Sequence, residues 1–252
     1  MLSEPIYEAG QGNESQFRQK KDEKMNEQKF IGMLVAAEMD SVLSRYGKPE
    51  SIEHRAGFDV YIYQGEGYRL VVVHSGIGEI AAAAATALLI DRYEVGMLVN
   101  FGVVGGLTEV MTLTKTCVVR DVVHYDFDLS GIDAVPPAQY PGFDSIRIPA
   151  DQTLIEKALA VCPDLVPVSC ASADKFVGNQ EEKQRLHNQY GADICEMESA
   201  AVLLTCLRSG VPCLMIKAVS DGLTGGGAEY YAELNKAAAL CLEVTDRIIR
   251  EL

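Results

Sequence analysis

Two acidic residues, Glu196 and Glu198, stand just ahead of an apolar helical run in ICEMESAAVLLTCL (Ile194 to Leu207). A bare carboxylate in a core costs several kcal/mol unless it is paired or hydrogen-bonded. These acids therefore either cap the helix or hold a ligand. Other apolar runs also end in acids: Glu38 and Asp40 in AAEMDS, and Asp221, preceded by Ser220, in IKAVSDG. Two more run ends are rich in glycine or carry an aromatic: NFGVVGG, with Val103, Val104 and Gly105, and SADKFVG, with Phe176 and Val177. Carboxylates at such positions can deliver a proton, accept bonds from hydroxyls or activate water. Each also has a plainer reading. An acid at a helix start favours the helix dipole, a Ser-Asp pair caps a turn, and a phenylalanine after a strand packs in the core.

The elements that must position these residues alternate between strand and helix. FIGMLVAA (30–37) reads as a buried strand and EMDSVLSRYG as a short helix stopped by glycine. FDVYIYQGEGYRLVVVHSGIG reads as two strands joined by a turn, and EIAAAAATALLIDRY as a strong helix. VGMLVNFGVVGGL reads as a strand running into a glycine-rich loop. KTCVVRDVVHYDFDL follows as a strand, then a long loop to about residue 149. DQTLIEKALAVC is a helix with Asp151 as N-cap. LVPVSCASADKF is a strand and loop, NQEEKQRLHNQYG an amphipathic helix, and ADICEME a short strand before the buried helix SAAVLLTCLRSG. VPCLMIKAVSDG is a strand with polar residues at its C-terminal end, and a long helix closes the chain. The pattern implies one α/β domain over residues 30–252, a three-layer α/β/α arrangement around a central mixed sheet. In open α/β sheets the ligand site lies beyond the C-terminal ends of strands, where the unusual residues stand.

Composition narrows the classes. With 252 residues, 48% hydrophobic and 23% charged, the chain is globular. Its net charge of −14 argues against nucleic acid or an anionic membrane as partner. No apolar run reaches the length of a membrane span. Residues 1–29 are polar and lack the apolar segment of a signal peptide, so they read as a mobile or peripheral extension, or in part as a start assigned too early, since Met25 precedes the first strand. The seven cysteines show no CxxC spacing and read as small buried hydrophobes of a reducing cytoplasm. The four histidines, His54, His74, His124 and His187, form no metal signature, and no metal or cofactor is expected.

Taken together and in order, HSGIGEIAAAAATALLI, VNFGVVGGL, HYDFD, SADKFVGNQEEKQRLHNQYGADICEMESAAV and IKAVSDG resemble the purine nucleoside phosphorylase/uridine phosphorylase superfamily. Within it they are most similar to the 5′-methylthioadenosine/S-adenosylhomocysteine nucleosidases. The resemblance covers roughly residues 30 to 250, and it implies a nucleoside phosphorylase-like fold.

It also implies roles. Breaking an N-glycosidic bond needs protonation of the leaving base, stabilisation of a sugar cation and a positioned nucleophile. By resemblance Asp221 faces purine N7 as general acid, oriented by Ser220; its ordinary pKa of about 4 then has to be raised by the site. Glu198 accepts bonds from the ribose hydroxyls, and Met197 packs on the sugar. Phe176 stacks on the base, the backbone of Val177 reads the adenine edge, and Val104 and Gly105 form another wall. The water-activating carboxylate falls on Asp40 by ungapped alignment, with Glu38 as runner-up. Residues 124–145 are expected beside a homodimer interface and the 5′ end of the substrate. LTGGGAEYY (223–231) reads as a mobile lid, with Tyr230 or Tyr231 covering the ligand.

The nucleophile separates hydrolases from phosphorylases. Phosphorylases carry an Arg after the first strand, and an Arg and a hydroxyl around the later glycine-rich loop. Here VAAEMDS holds no Arg, Asn100 takes the second Arg position, and Val103 takes that of the hydroxyl. A phosphate dianion facing apolar groups and carboxylates is disfavoured, so water is the expected nucleophile. Val103 in place of Ser, Lys217 in place of Arg and Asp40 in place of Glu are departures from the nucleosidases that suggest a divergent branch. The expected activity is hydrolysis of a purine nucleoside to release adenine. The rivals are a phosphate-dependent phosphorylase and a nucleoside-binding protein that has lost catalysis.

Overall fold

The computed structural model describes residues 29–252; the N-terminal extension up to residue 28 lies outside the described residues. Strand β1 (Lys29–Val35) leads into helix α1 (Met39–Tyr46), and then come β2 (Ser51–Arg55), β3 (Phe58–Gln64) and β4 (Tyr68–His74). Helix α2 (Glu79–Tyr93) precedes β5 (Met97–Gly106) and β6 (Thr116–His124). After a long loop come β7 (Ile148–Pro149), α3 (Gln152–Val161), β8 (Val166–Ser172) and α4 (Gln180–Tyr190). The chain ends with β9 (Ile194–Glu196), α5 (Ser199–Ser209), β10 (Cys213–Asp221) and α6 (Gly227–Ile249).

The strands form one mixed sheet. Parallel pairs join β4 to β1, β1 to β5, β5 to β10, β6 to β8 and β8 to β9. Antiparallel pairs join β2–β3, β3–β4, β5–β9, β6–β7 and β6–β10. Because β10 pairs with both β5 and β6, the strands β5, β10, β6, β8 and β9 close on themselves. This closure brings the ends of β5, β9 and β10 together at one rim.

Helices cover both faces, giving the three layers expected. Met39 and Val42 of α1, Leu154 and Ala158 of α3, and Ala237 and Cys241 of α6 pack into one core. Ala82, Ala85 and Leu89 of α2, with Val202, Leu203 and Cys206 of α5, pack into the other. Both cores read as apolar runs because the central strands are buried on two sides. All nine residues of β10 are buried. The seven cysteines are buried and unpaired; Cys162, Cys241, Cys117, Cys170, Cys206 and Cys213 lie in these two cores, and Cys195 in a third cluster with Leu107 and Val177. Asp151 caps α3, its side chain accepting from Leu154 N. No described helix is long and apolar enough to cross a membrane.

The short strand β7 falls at the end of the expected long loop, where it pairs with β6, and two longer elements also depart from the sequence reading. NFGVVGG is strand throughout, not loop, because β10 and β9 pair with it up to Gly105 and Gly106. Strand β2 (SIEHR) was not expected. It pairs with β3 at the sheet edge and is largely exposed, so it lacks the apolar alternation that marks a half-buried strand.

Candidate active site

A cavity of about 690 Å³ opens at the rim where β5, β9 and β10 end. Ala36, Ala37 and Glu38 line it from the β1–α1 connection, and Val103, Val104 and Gly105 from β5. Phe176 and Val177 contribute from the β8–α4 loop, Cys195 to Glu198 from β9 and its exit, Ser220 and Asp221 from β10, and Tyr230, Tyr231 and Leu234 from α6. Every site residue expected from the sequence reaches this cavity except Asp40.

Asp40 is exposed and lines a separate groove with Ser41, Ser44 and Arg45. It lies in the first turn of α1, where an acid favours the helix dipole. Glu38 is the N-cap residue of that helix, and Asp40 lies roughly 200° further round the axis, facing outward. The Glu38 side chain caps nothing. It instead crosses to β5, where Oε1 accepts from Val103 N at 2.9 Å and Oε2 accepts from Ala37 N at 2.9 Å. A carboxylate so fixed and only 6% exposed can accept a proton from water in the cavity. The backbone of Val103 thus contributes whatever its side chain is.

The ICEMES acids divide their work. Glu196 does the capping: both its oxygens accept from Ser199 N, and Oε2 also accepts from Glu198 N at 3.1 Å. Lys217, buried in the middle of β10, donates to Glu196 Oε2 at 3.3 Å. Burial works against the Glu196 carboxylate, but Lys217 and these donors outweigh it and hold its pKa below 4.5. Glu198 makes no cap bond. Its Oε1 accepts from Gly78 N at 2.8 Å, and no bond is made to Oε2 among the described residues. Burial, reinforced by the negative charge of Glu196, raises its pKa from 4.5 to about 8. Glu79, at the start of α2, accepts from Ser172 Oγ and Ala201 N, each at 2.5 Å, and burial beside Glu196 raises it to about 8 as well.

Asp221 sits at a bulge. Val219 pairs with Val104 and Asp221 with Gly105, so Ser220 is the extra residue and the strand is re-aimed toward the cavity. Its Oδ1 accepts from Ser220 Oγ at 3.0 Å, and its Oδ2 accepts from Lys183 Nζ at 2.5 Å. Gly105 makes room for this pair. A Cβ there would stand 3.0 Å from Cys195 Sγ and 3.2 Å from Asp221 Oδ2.

Phe176, 47% exposed, offers a ring face at the cavity mouth, and Tyr230 meets it edge-on with ring centroids 5.6 Å apart. The expected lid begins as turn, but Tyr230 and Tyr231 belong to the first turns of α6. Residues 124–145 contribute nothing to the cavity among the described residues. There His124 bonds Tyr140 Oη at 2.7 Å, and Phe127 stacks on Tyr140 with centroids 3.8 Å apart.

A model of the Phosphorylase superfamily matches residues 30–251. A 5′-methylthioadenosine/S-adenosylhomocysteine nucleosidase of Staphylococcus aureus (strain MRSA252) is 30% identical over 234 residues, which span 88% of this chain and 100% of the relative. The chain belongs to this nucleosidase family.

Two solved structures from Helicobacter pylori share the fold. One is a 5′-methylthioadenosine/S-adenosylhomocysteine nucleosidase in complex with a pyrrolo-pyrimidine pyrrolidine ligand, at TM-score 0.84 and 26% identity, covering 89% of this chain and 99% of that one. The other is a futalosine hydrolase, also at TM-score 0.84 and 26% identity, covering 89% and 98%. The family hydrolyses the N-glycosidic bond of nucleosides, and this chain is an enzyme of that type.

In this nucleosidase the cavity holds one cation among its lining residues, Lys175, which pairs with Glu182 at 3.1 Å on the surface. The buried ammonium groups of Lys217 and Lys183 are each engaged by a carboxylate. Asn100 donates to Leu34 O within the core at 3.4 Å and does not line the cavity. Three features escaped sequence reading. Lys183 looks like one charge on a polar helix, Glu79 like a helix-start acid, and Gly78 like any glycine of a loop. Only the spacing of Gly78 ahead of the alanine-rich helix carried a trace of its role.

Proposed function

We propose that the chain hydrolyses 5′-methylthioadenosine or a related adenine nucleoside to release adenine. The observation that carries this reading is the trio of carboxylates, Asp221, Glu198 and Glu38, set in separate environments around one cavity with no phosphate-binding cation pair among the described residues. Phe176 stacks on the purine, and the backbone at Val177 reads its edge. Asp221, aimed by Ser220, serves purine N7. Protonation there draws the electron pair of the C1′–N9 bond into the base.

Glu198 accepts the ribose diol. Its raised pKa suits a group that sits protonated in the empty site and ionises as two hydroxyls approach, placing negative charge beside the cation growing at C1′. Met197 packs on the sugar, and Val104 and Gly105 close the opposite wall. Glu38 takes the proton of the water that captures C1′. The chain assembles as a homodimer, the exposed apolar residues Ile77, Ile80, Val110 and Ile132 being the surface such an assembly covers.

The test is adenine release from 5′-methylthioadenosine, followed by chromatography in phosphate-free buffer and with added phosphate. Equal release with free methylthioribose supports the reading. Release only with phosphate overturns it in favour of a phosphorylase, and binding without release in favour of a non-catalytic receptor. Running futalosine alongside separates the two substrates for which the solved neighbours are named.

A further inference from the structure

Lys183 lies on the inner face of α4 with no exposed surface. A buried ammonium costs several kcal/mol unless its donors and charge are both met. Here both are. Nζ stands 2.5 Å from Asp221 Oδ2, 2.7 Å from Gly222 O, 3.2 Å from Gly225 O and 3.4 Å from Asp221 O. Three N–H bonds thus have four oxygens to choose from, and one of those oxygens is the carboxylate that serves the base.

The other groups packed around Asp221 do not supply a proton. Cys195, from β9, is pushed up to about 12 by burial, which outweighs the lowering effect of Lys183. Glu229, from α6, is turned toward the backbone and accepts from Gly222 N at 2.8 Å. Tyr230, also from α6, is raised by burial and by the carboxylates Glu38, Glu198 and Asp221. Lys183 is the one cation in contact with Asp221 among the described residues.

In this contact the Lys183 ammonium donates and the Asp221 carboxylate accepts. That is the wrong state for an acid acting alone. We propose that Lys183 is a positioning residue that acts through Asp221: the pair holds one proton, and that proton is the one delivered to the leaving base. The inference rests on the nucleosidase reading above. As the C1′–N9 bond breaks, its electron pair moves into the purine, and N7 takes a proton from the Asp221 carboxyl. Lys183 gives a proton to Asp221 and is left neutral. Water adds to C1′ and loses its proton to Glu38, and exchange with solvent returns one proton from Glu38 to Lys183. The same ammonium ties the carbonyls of Gly222 and Gly225, so proton supply and the turn that leads to Tyr230 are held by one side chain.

The test compares wild type with Lys183→Met through the pH dependence of kcat/KM on 5′-methylthioadenosine. If the pair stores the proton, wild type keeps activity until the ammonium titrates, and the variant loses it once Asp221 alone ionises. The alkaline limb of Lys183→Met then moves to lower pH by about two units or more. If Lys183 only lowers the pKa of Asp221, removing it moves that limb upward, which overturns the proposal, as does an unmoved limb. A 4-nitrophenyl riboside, whose leaving group needs no proton, serves as control. Its turnover stays within about tenfold of wild type with no displaced limb; an equal loss on both substrates overturns the proposal in favour of a structural role. Should the Met variant not fold, Lys183→Gln, which still donates to Gly222 O and Gly225 O, gives the same comparison. A wild-type protein that turns over no nucleoside overturns the functional reading and this inference with it, whereas turnover with an unmoved limb overturns the inference alone.

Discussion

The carboxylate of Glu198 accepts the backbone N–H of Gly78 at 2.8 Å across 120 residues of sequence. Gly78 can present that N–H because its φ of +107° is open to glycine. A Cβ at this position would also stand 2.8 Å from Asp174 Oδ1, whose carboxylate accepts from Glu79 N. One backbone unit therefore anchors the acid assigned to the sugar. Gly78→Ala is expected to lower stability by about 1–3 kcal/mol, with a matching fall in melting temperature. It should also raise KM for the nucleoside, because Glu198 loses its fixed partner. A variant with wild-type KM and stability would break the link between this glycine and the site.

Asp221→Asn should cut adenine release by about a thousandfold while leaving the fold intact by circular dichroism. It also leaves the Lys183 ammonium buried without its carboxylate, so the melting temperature should fall. The double variant Asp221→Asn/Lys183→Met should recover part of that stability and none of the activity. Full turnover by the single variant would remove Asp221 from the acid role.

Glu38→Gln and Asp40→Asn separate the two carboxylates of AAEMDS. The first is expected to lower kcat by about a hundredfold or more. The second changes an exposed helix-start residue and should leave kcat within about twofold, since surface substitutions of this kind shift free energies by only about 0.5 kcal/mol. Steady-state kinetics on both variants decides the assignment, and the reverse order of effects would return the water to Asp40.

Lys217 neutralises Glu196 inside the sheet. Lys217→Met should cost about 3–5 kcal/mol, because Glu196 keeps its cap bonds but loses its counter-charge. Chemical denaturation measures the loss. Adding Glu196→Gln should return part of it, since the second change removes the unpaired charge.

Glu79 offers a test through pH. Its pKa is about 8 in the folded protein against an ordinary 4.5. Between these values the folded state holds a proton that the unfolded chain has released, so the neutral carboxyl contributes stability fully below the lower value and loses it as pH rises through the upper one. Glu79→Gln carries no such proton. Its melting temperature relative to wild type should therefore climb as pH is raised from about 5 to about 9. A constant difference over that range would show that Glu79 is ionised in the fold.

The α/β alternation, the buried central strands and the clustering of unusual residues at strand ends were legible from residue order alone. They depend on apolar periodicity and on short-range caps such as Asp151, which are local properties. Asp221, Glu198 and Phe176 were legible because each stands in a motif beside a strand end. The tertiary structure decided the rest. It put Glu38 and not Asp40 in the cavity wall, because a two-residue offset at a helix start turns one carboxylate inward and the other to solvent. It turned the glycines of NFGVVGG from loop to strand, because β9 and β10 supply hydrogen-bond partners from a hundred residues away. It paired Lys183 with Asp221 and Lys217 with Glu196, bonds that no spacing announces. A buried charge is stabilised by whichever opposite charge the fold brings within reach, and that distance exists only once the chain has closed on itself.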